Sequence, residues 1–184
     1  VDTDQYRPTG EAKEGFVVGL GTIYRGKGID RAIRALGTIR KSARPPLIWI
    51  ANGIDSYDLA EYTSLAKRLE VEFTPRIRIP DAEVVSLLSR AAAMIYTPRL
   101  EPFGLAPLEA NACGTMVVAI AEGGVKESIC DGMNGFLVDE DDPVSLGSRI
   151  EHIVTSLEWA RQLGERARNH VLERWPLRRA TDAI

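Results

Sequence analysis

Between Arg99 and Gly114 the chain reads RLEPFGLAPLEANACG. One apolar run, Ala91–Tyr96, precedes this stretch and a second, Thr115–Ile120, follows it; both have strand length and turn residues at their ends. A short helix opening near Leu105 completes a strand, loop, helix, strand unit, which implies neighbouring parallel strands. Gly104 lets the backbone approach a ligand closely, and the first free N–H groups of the helix point at it, an arrangement that favours a phosphate. Glu101 and Glu109 bracket the turn. Carboxylates do not hold phosphates but do accept hydrogen bonds from hydroxyls, so the unit suits a ligand with a phosphate in the middle and polyhydroxy groups on both sides. Taken singly, Glu109 also fits a helix-dipole partner and Glu101 a solvated loop residue.

Working outward, the same alternation repeats. Phe16–Leu20 and Leu47–Ala51 are short apolar runs ending at turn residues, the second at Asn52-Gly53. Between them Ile29, Ile33, Leu36 and Ile39 recur at helical spacing, with arginines on the other side, until Pro45 and Pro46. A second helix is predicted over about Tyr57–Glu70 with Ser56 as its cap. Val71–Phe73 and Ile77–Ile79 read as a short strand with an irregular extension around Pro75, and Asp81 as the cap of a third helix. Gly123-Gly124 opens a one- or two-turn helix to Ile129, and Phe136–Val138 is the last strand. Asp142-Pro143 then starts helical sequence that runs, in two segments, to Arg174, where Pro176 breaks it. The sum is an α/β fold, a doubly wound, Rossmann-like parallel sheet of about six strands with helices on both faces. The expected division is a linker over 1–14, a domain over 15–175 and a helical tail over 176–184.

The 184 residues are enough for one well-buried core, and the net charge of −3 argues against a nucleic-acid surface. No apolar run of about twenty residues is available to span a bilayer, and no signal peptide opens the chain, so a cytoplasmic location is expected. The chain begins with Val1 rather than Met and reads as part of a longer protein. Cys113 and Cys130 lack metal-ligand spacing and are expected to be small core residues. His152 and His170 lie among charged residues in late helical segments, so no histidine-based metal site is expected.

In such sheets ligands bind beyond the carboxyl ends of the strands, where the strand order reverses. The loop after the first strand, Gly21–Asp30, reads GTIYRGKGID. It approaches the ATPase phosphate loop but carries Gly28 where a magnesium-binding hydroxyl belongs. A dinucleotide fingerprint fails as well, because Thr22, Ile23 and Tyr24 follow Gly21 where a third glycine should fall. Lys27 makes sense as a point charge on a diphosphate, since a cation at a helix start otherwise opposes the dipole.

The pattern E-P-F-G-L-x(3)-E followed by A-x-A-C-G-T-x-V-V resembles the signature of the retaining glycosyltransferases of the two-domain GT-B architecture, group 1 type. The glycine–lysine segment near Gly21–Asp30, GGVKE at 123–127 and DGMNGFLV at 131–138 fall in that family's order and spacing. The resemblance covers most of residues 1–175. It implies the C-terminal, donor-binding half of such an enzyme, with residues 1–14 leaving the hinge and an N-terminal half holding the acceptor. The donor would be a UDP-, GDP- or ADP-sugar; that architecture needs no D-x-D metal clamp, so the resemblance implies no obligatory metal or other cofactor. By the same resemblance, Lys27 neutralises the leaving diphosphate, Glu101 accepts hydrogen bonds from the donor sugar and Glu109 chelates the ribose diol. Backbone N–H groups of Phe103, Gly104 and Leu105 face the phosphates or sugar, although Phe103 fits a core anchor equally well. Gly123 and Gly124 lie beside the donor, Gly21, Thr22, Asn52 and Gly53 border the nucleotide, and Arg76 and Ile77 fall where the base is held. The sequence departs from the family pattern at one point. The arginine usual five or six residues before the lysine is absent, Gly21 and Thr22 standing there, and Arg25 is its nearest substitute. The alternative readings are a nucleotide-sugar binding module without turnover and, behind it, a P-loop-like nucleotide-binding ATPase.

Overall fold

The computed structural model of the chain describes residues 1–139 and 142–177. Six strands are formed: β1 (Glu14–Leu20), β2 (Leu47–Ala51), β3 (Phe73–Ile77), β4 (Ala91–Tyr96), β5 (Val117–Ile120) and β6 (Gly135–Val138). The helices between and after them are α1 (Ile29–Thr38), α2 (Ser56–Arg68), α3 (Asp81–Arg90), α4 (Leu105–Ala112), α5 (Val125–Ser128), α6 (Pro143–Val154) and α7 (Leu157–Arg174). All strand pairs are parallel, in the order β3-β2-β1-β4-β5-β6. This is the doubly wound order, and its reversal lies between β1 and β4.

Strand side chains alternate between two cores. Val17, Ala93, Ile95, Val118 and Ile120 face α1, α2, α6 and α7, while Val18, Met94, Tyr96, Val117 and Ala119 face α3, α4 and α5. β4 is buried along its whole length, as a central parallel strand covered on both faces must be. Its Ala91-Ala92-Ala93 run lets the helices sit close to it.

Three local expectations change. Asp55 rather than Ser56 caps α2, its carboxylate accepting from the N–H groups of Tyr57 and Asp58; an acid one residue earlier reaches both amides. Pro80 occupies the N-cap of α3 and Asp81 is already helical, free of a capping bond. β3 runs unbroken through Pro75, which pairs with Trp49 of β2. The strand is at the sheet edge, so the missing N–H can face away from β2 at no cost to the ladder. Asp142 does cap α6, accepting from Ser145 N–H, with Pro143 in the first turn. The predicted tail over 176–184 falls, beyond Leu177, outside the described residues.

Residues 1–14 are docked on the domain. Tyr6 packs with Leu108 and Ala112 of α4, Val171 of α7 and Trp175, and Arg168 donates to the carbonyls of Tyr6 and Ala112. Lys13, largely buried, donates to Thr115 Oγ1 at 2.5 Å, and burial pushes its ammonium down from the ordinary 10.5 to about 7. Between those values the unfolded chain binds the proton and the folded chain releases it. Stability therefore rises with pH across this window, and the penalty is complete below it. Lys13→Met should raise the melting temperature at pH 6 to 7 and flatten its rise toward pH 9; parallel melting curves for the two proteins would exclude a buried, proton-poor Lys13.

Of the two cysteines Cys113 is buried, but Cys130 is exposed in the turn after α5. That corrects the expectation of two core thiols; α5 ends at Ser128, Ile129 still packs into the core, and the chain turns outward at Cys130. The DGMNG turn is held by side-chain amides instead. Asn111 of α4 donates to the carbonyls of Thr115 and Asn134, and Asn134 donates to Asn111 Oδ1 and to the Ser128 carbonyl. Cys130 N–H completes the network on Asn134 Oδ1. Both asparagines are fully buried and satisfied, which fixes the β5–α5–β6 connection as a rigid unit.

Candidate functional site

Beyond the carboxyl ends of β1 and β4, at the order reversal, lies a cleft of about 530 Å³. That is the size of a small-molecule pocket. Its walls come from three loops. The first follows β1, where Trp49 Nε1 donates to the Gly21 carbonyl at 2.8 Å and steadies the turn. A single 3₁₀ turn, Arg25–Lys27, then leads into α1 through Gly28. Gly28 has φ of 64°, and a Cβ there would sit 1.9 Å from the Thr97 carbonyl oxygen. Only glycine permits both, and Thr97 Oγ1 bonds the Gly28 carbonyl at 2.8 Å. The position where an ATPase loop keeps its hydroxyl is thus used to lock this loop against the end of β4.

The second loop, 97–104, carries Glu101 and leads into α4. Lys27 Nζ and Glu101 Oε2 meet at 2.5 Å, their side chains 19% and 26% exposed. Gly104, with φ of 78°, starts α4 with no side-chain cap, and Phe103, Gly104, Leu105 and Ala106 all line the cleft. An uncapped N-terminus and a lysine therefore face the same space, which suits an anion. One turn into α4, Glu109 lines the cleft as well, hydrogen-bonded to Tyr6; burial nevertheless raises its carboxyl above the ordinary range. The Tyr6 phenol is pushed up to about 12, mainly by burial and then by Glu109, so it stays a donor to that carboxylate.

The third loop, 121–124, supports the second. Gly124 N–H donates to the Glu101 carbonyl at 2.9 Å. A Cβ on Gly124 would lie 2.0 Å from the Pro102 carbonyl oxygen, and one on Gly123 2.6 Å from that of Glu101. The glycine pair thus admits the backbone of the 101–103 loop, where a ligand was expected, and neither glycine lines the cleft. Glu122 accepts from Leu100 N–H at 3.1 Å and from Arg31 at 2.6 Å, tying this loop to α1.

Among the remaining candidates, Gly21, Thr22 and Asn52 line the cleft, beside Leu20 and Ile50. Gly53 lies just behind, its carbonyl accepting from Ile23 N–H at 2.9 Å. Phe103 combines both of its readings: it lines the cleft and packs edge-on against Trp175, ring centroids 5.6 Å apart. Arg25 points elsewhere. Its guanidinium holds Asp58 and Glu61 and lies over the Tyr57 ring, on the far side of the 25–27 turn. Arg76 pairs with Glu83, and Ile77 packs into the α1/α2 core; neither lines the cleft. Eight lining residues were not singled out for the site in the sequence: Tyr6, Leu20, Ile50, Asp81, Val84, Tyr96, Pro102 and Ala106. Tyr96 alone gave a signal, an aromatic at the last position of a strand whose carboxyl end borders the cleft. Among the described residues no group of three or more His, Cys, Asp or Glu is arranged to hold a metal.

The fold and the cleft define a Rossmann-like domain with a pocket at its topological switch point, walled by a lysine and an uncapped helix start. The family model for glycosyl transferases group 1 matches residues 2–170, and the chain belongs to that family. It is 29% identical over 177 residues to an α-maltose-1-phosphate synthase of Mycobacterium tuberculosis, covering 85% of this chain and 45% of that protein. It is 33% identical over 162 residues to a D-inositol 3-phosphate glycosyltransferase of Salinispora tropica, covering 83% and 31%. The chain spans less than half the length of these relatives. Among solved structures, the C-terminal domain of a Francisella tularensis glycosyl transferase group 1 protein aligns with a TM-score of 0.79 at 21% identity, over 96% of this chain and 98% of that one. An Anabaena protein in complex with UDP-glucose aligns with a TM-score of 0.80 at 22% identity, over 96% and 52%. The fold is that of a GT-B C-terminal domain. No helix among the described residues is long and apolar enough to cross a membrane.

Proposed function

We propose that this chain is the donor-binding half of a cytoplasmic, retaining glycosyltransferase that moves a hexose from a nucleoside diphosphate sugar to an acceptor held by an N-terminal half, with residues 1–14 forming the handover between the two. The observation that carries this reading is the meeting of Lys27 with Glu101 on one wall of the cleft, with Glu109 in the same cavity and the bare start of α4 beside them. A diphosphate lying across that helix start would take the lysine and the amides. Glu101 would then be freed for sugar hydroxyls, while Glu109 reads the ribose. As the glycosidic bond breaks, charge grows on the leaving diphosphate, and Lys27 with the α4 amides is positioned to stabilise it. Departure and attack on the same face would give retention without the carboxylate pair that hydrolases need. The UDP-glucose held by the Anabaena protein supports a donor of this class.

Titration of the chain with UDP-, GDP- and ADP-sugars in the absence of magnesium should show saturable binding of at least one. Failure of all three alongside tight binding of Mg-ATP or NAD would overturn the proposal. Glu109→Ala should weaken binding of the preferred nucleotide by ~1.5–3 kcal/mol, the value of hydrogen bonds to a charged acceptor. Unchanged affinity would put the ribose elsewhere. Because burial raises the Glu109 carboxyl, its contribution should fade on acidification sooner than that of an exposed glutamate.

A further inference from the structure

On the reverse side of the 25–27 turn is a second depression, about 430 Å³, between the N-terminal half of α1, α2 and the loop after β4. Four arginines line it. Two are committed: Arg25 to Asp58 and Glu61, and Arg99 to Asp30 through two bonds of 3.1 and 3.2 Å. The other two, Arg34 and Arg68, have no carboxylate partner among the described residues, Arg68 reaching only Ser64 Oγ at 3.2 Å. Deeper in the wall is Tyr62, 3% exposed, whose hydroxyl is buried without a hydrogen-bond partner. Leaving such a donor unmade costs free energy comparable to a lost hydrogen bond, so a water molecule or a ligand oxygen is expected to meet it.

We propose that this depression binds a phosphate monoester. Two uncommitted guanidiniums match the charge of such a group, about −1.5 to −2 at neutral pH, and they present the planar donor forks that suit its oxygens. The Tyr62 hydroxyl supplies a neutral donor from below. Burial pushes that phenol up to about 12, so it keeps its proton at neutral pH. Leu65 and the Tyr62 ring give an apolar wall for the organic part of the ligand. The site has a mechanical link to the donor cleft: Arg99 N–H donates to the Gly26 carbonyl at 2.9 Å, one residue before Lys27. The inference stands on this second cavity alone and does not need the donor reading.

The test is calorimetric titration at fixed ionic strength with inorganic phosphate and with a hexose phosphate. Saturable binding is expected, weakened about tenfold or more in the double variant R34Q/R68Q and several-fold in Tyr62→Phe, whose melting temperature should not fall. UDP affinity of the double variant should stay at the parent value. Vesicles containing phosphatidic acid form a parallel arm: capture on them, lost in R34Q/R68Q, would assign the monoester to a lipid headgroup, and binding of the hexose phosphate alone would assign it to a soluble metabolite. Binding that survives R34Q/R68Q, or that is abolished by Lys27→Ala and displaced by UDP, would overturn the proposal by moving the phosphate to the donor cleft, as would no binding at all.

Discussion

Lys27→Ala should leave the domain folded and, in an enzyme carrying both halves, lower the rate of sugar transfer by about 10²–10³, the usual cost of removing one preorganised donor to a developing charge. Folding should survive because the partner left behind, Glu101, has its side chain 26% exposed and can be hydrated. The same substitution in the isolated chain should weaken binding of a bare nucleoside diphosphate, since a charge-assisted bond is lost. Steady-state rates, diphosphate titrations and a melting curve together check this. A variant with normal melting and normal transfer would remove Lys27 from the chemistry and leave α4 as the only anion-stabilising element.

Gly124→Ala should have the second large effect, and through backbone alone. The added methyl would meet the Pro102 carbonyl oxygen at 2.0 Å and Phe103 Cα at 2.8 Å. Neither is a flexible side-chain end, so the 101–103 loop must move. Overpacking of this kind costs roughly 1–3 kcal/mol, which in a domain of this size lowers the melting temperature by roughly 2–4 °C per kcal/mol. Displacing the loop also carries Glu101 out of reach of the hydroxyls it is proposed to hold, so affinity for an intact donor should fall about tenfold or more, as if a charged hydrogen bond were broken. Gly15→Ala, at a strand position where a methyl meets nothing within 4 Å, should be close to neutral and serves as the control. If Gly124→Ala matches that control in both melting and affinity, the glycine pair does not set the loop.

The sheet was legible because the inner strands β1, β2, β4 and β5 read as continuous apolar runs separated by helical spacing, as parallel strands covered on both faces do; β3, FTPRI at the edge, gave no such run. The meeting of Lys27, Glu101 and Glu109 followed from the strand-end rule, since all three lie in or just beyond the loops after the first and central strands. What the sequence hid has a common origin. Gly123 and Gly124 signal close approach, but composition does not say whether a ligand or the chain's own backbone does the approaching. Arg25 was assigned by its nearness to Lys27, whereas Asp58 and Glu61, more than thirty residues away, compete for it. Tyr6 lay in a polar stretch with Pro8 and Gly10 that resembles any frayed terminus; only its contacts with α4 and α7 bring it to the cleft. Each of these three concerns a long-range partner, which local pattern does not encode.

The contact between Lys27 and Glu101 has a thermodynamic consequence for any occupant of the cleft. Lys27 has its own counter-ion inside the pocket. On the proposed reading a bare nucleoside diphosphate would have to evict that carboxylate and strand it half-shielded from water, whereas an intact donor would bring hydroxyls that rehouse it. The eviction cost would then fall selectively on the spent nucleotide, and once the sugar had gone the returning glutamate would compete for the lysine and help to push the product out.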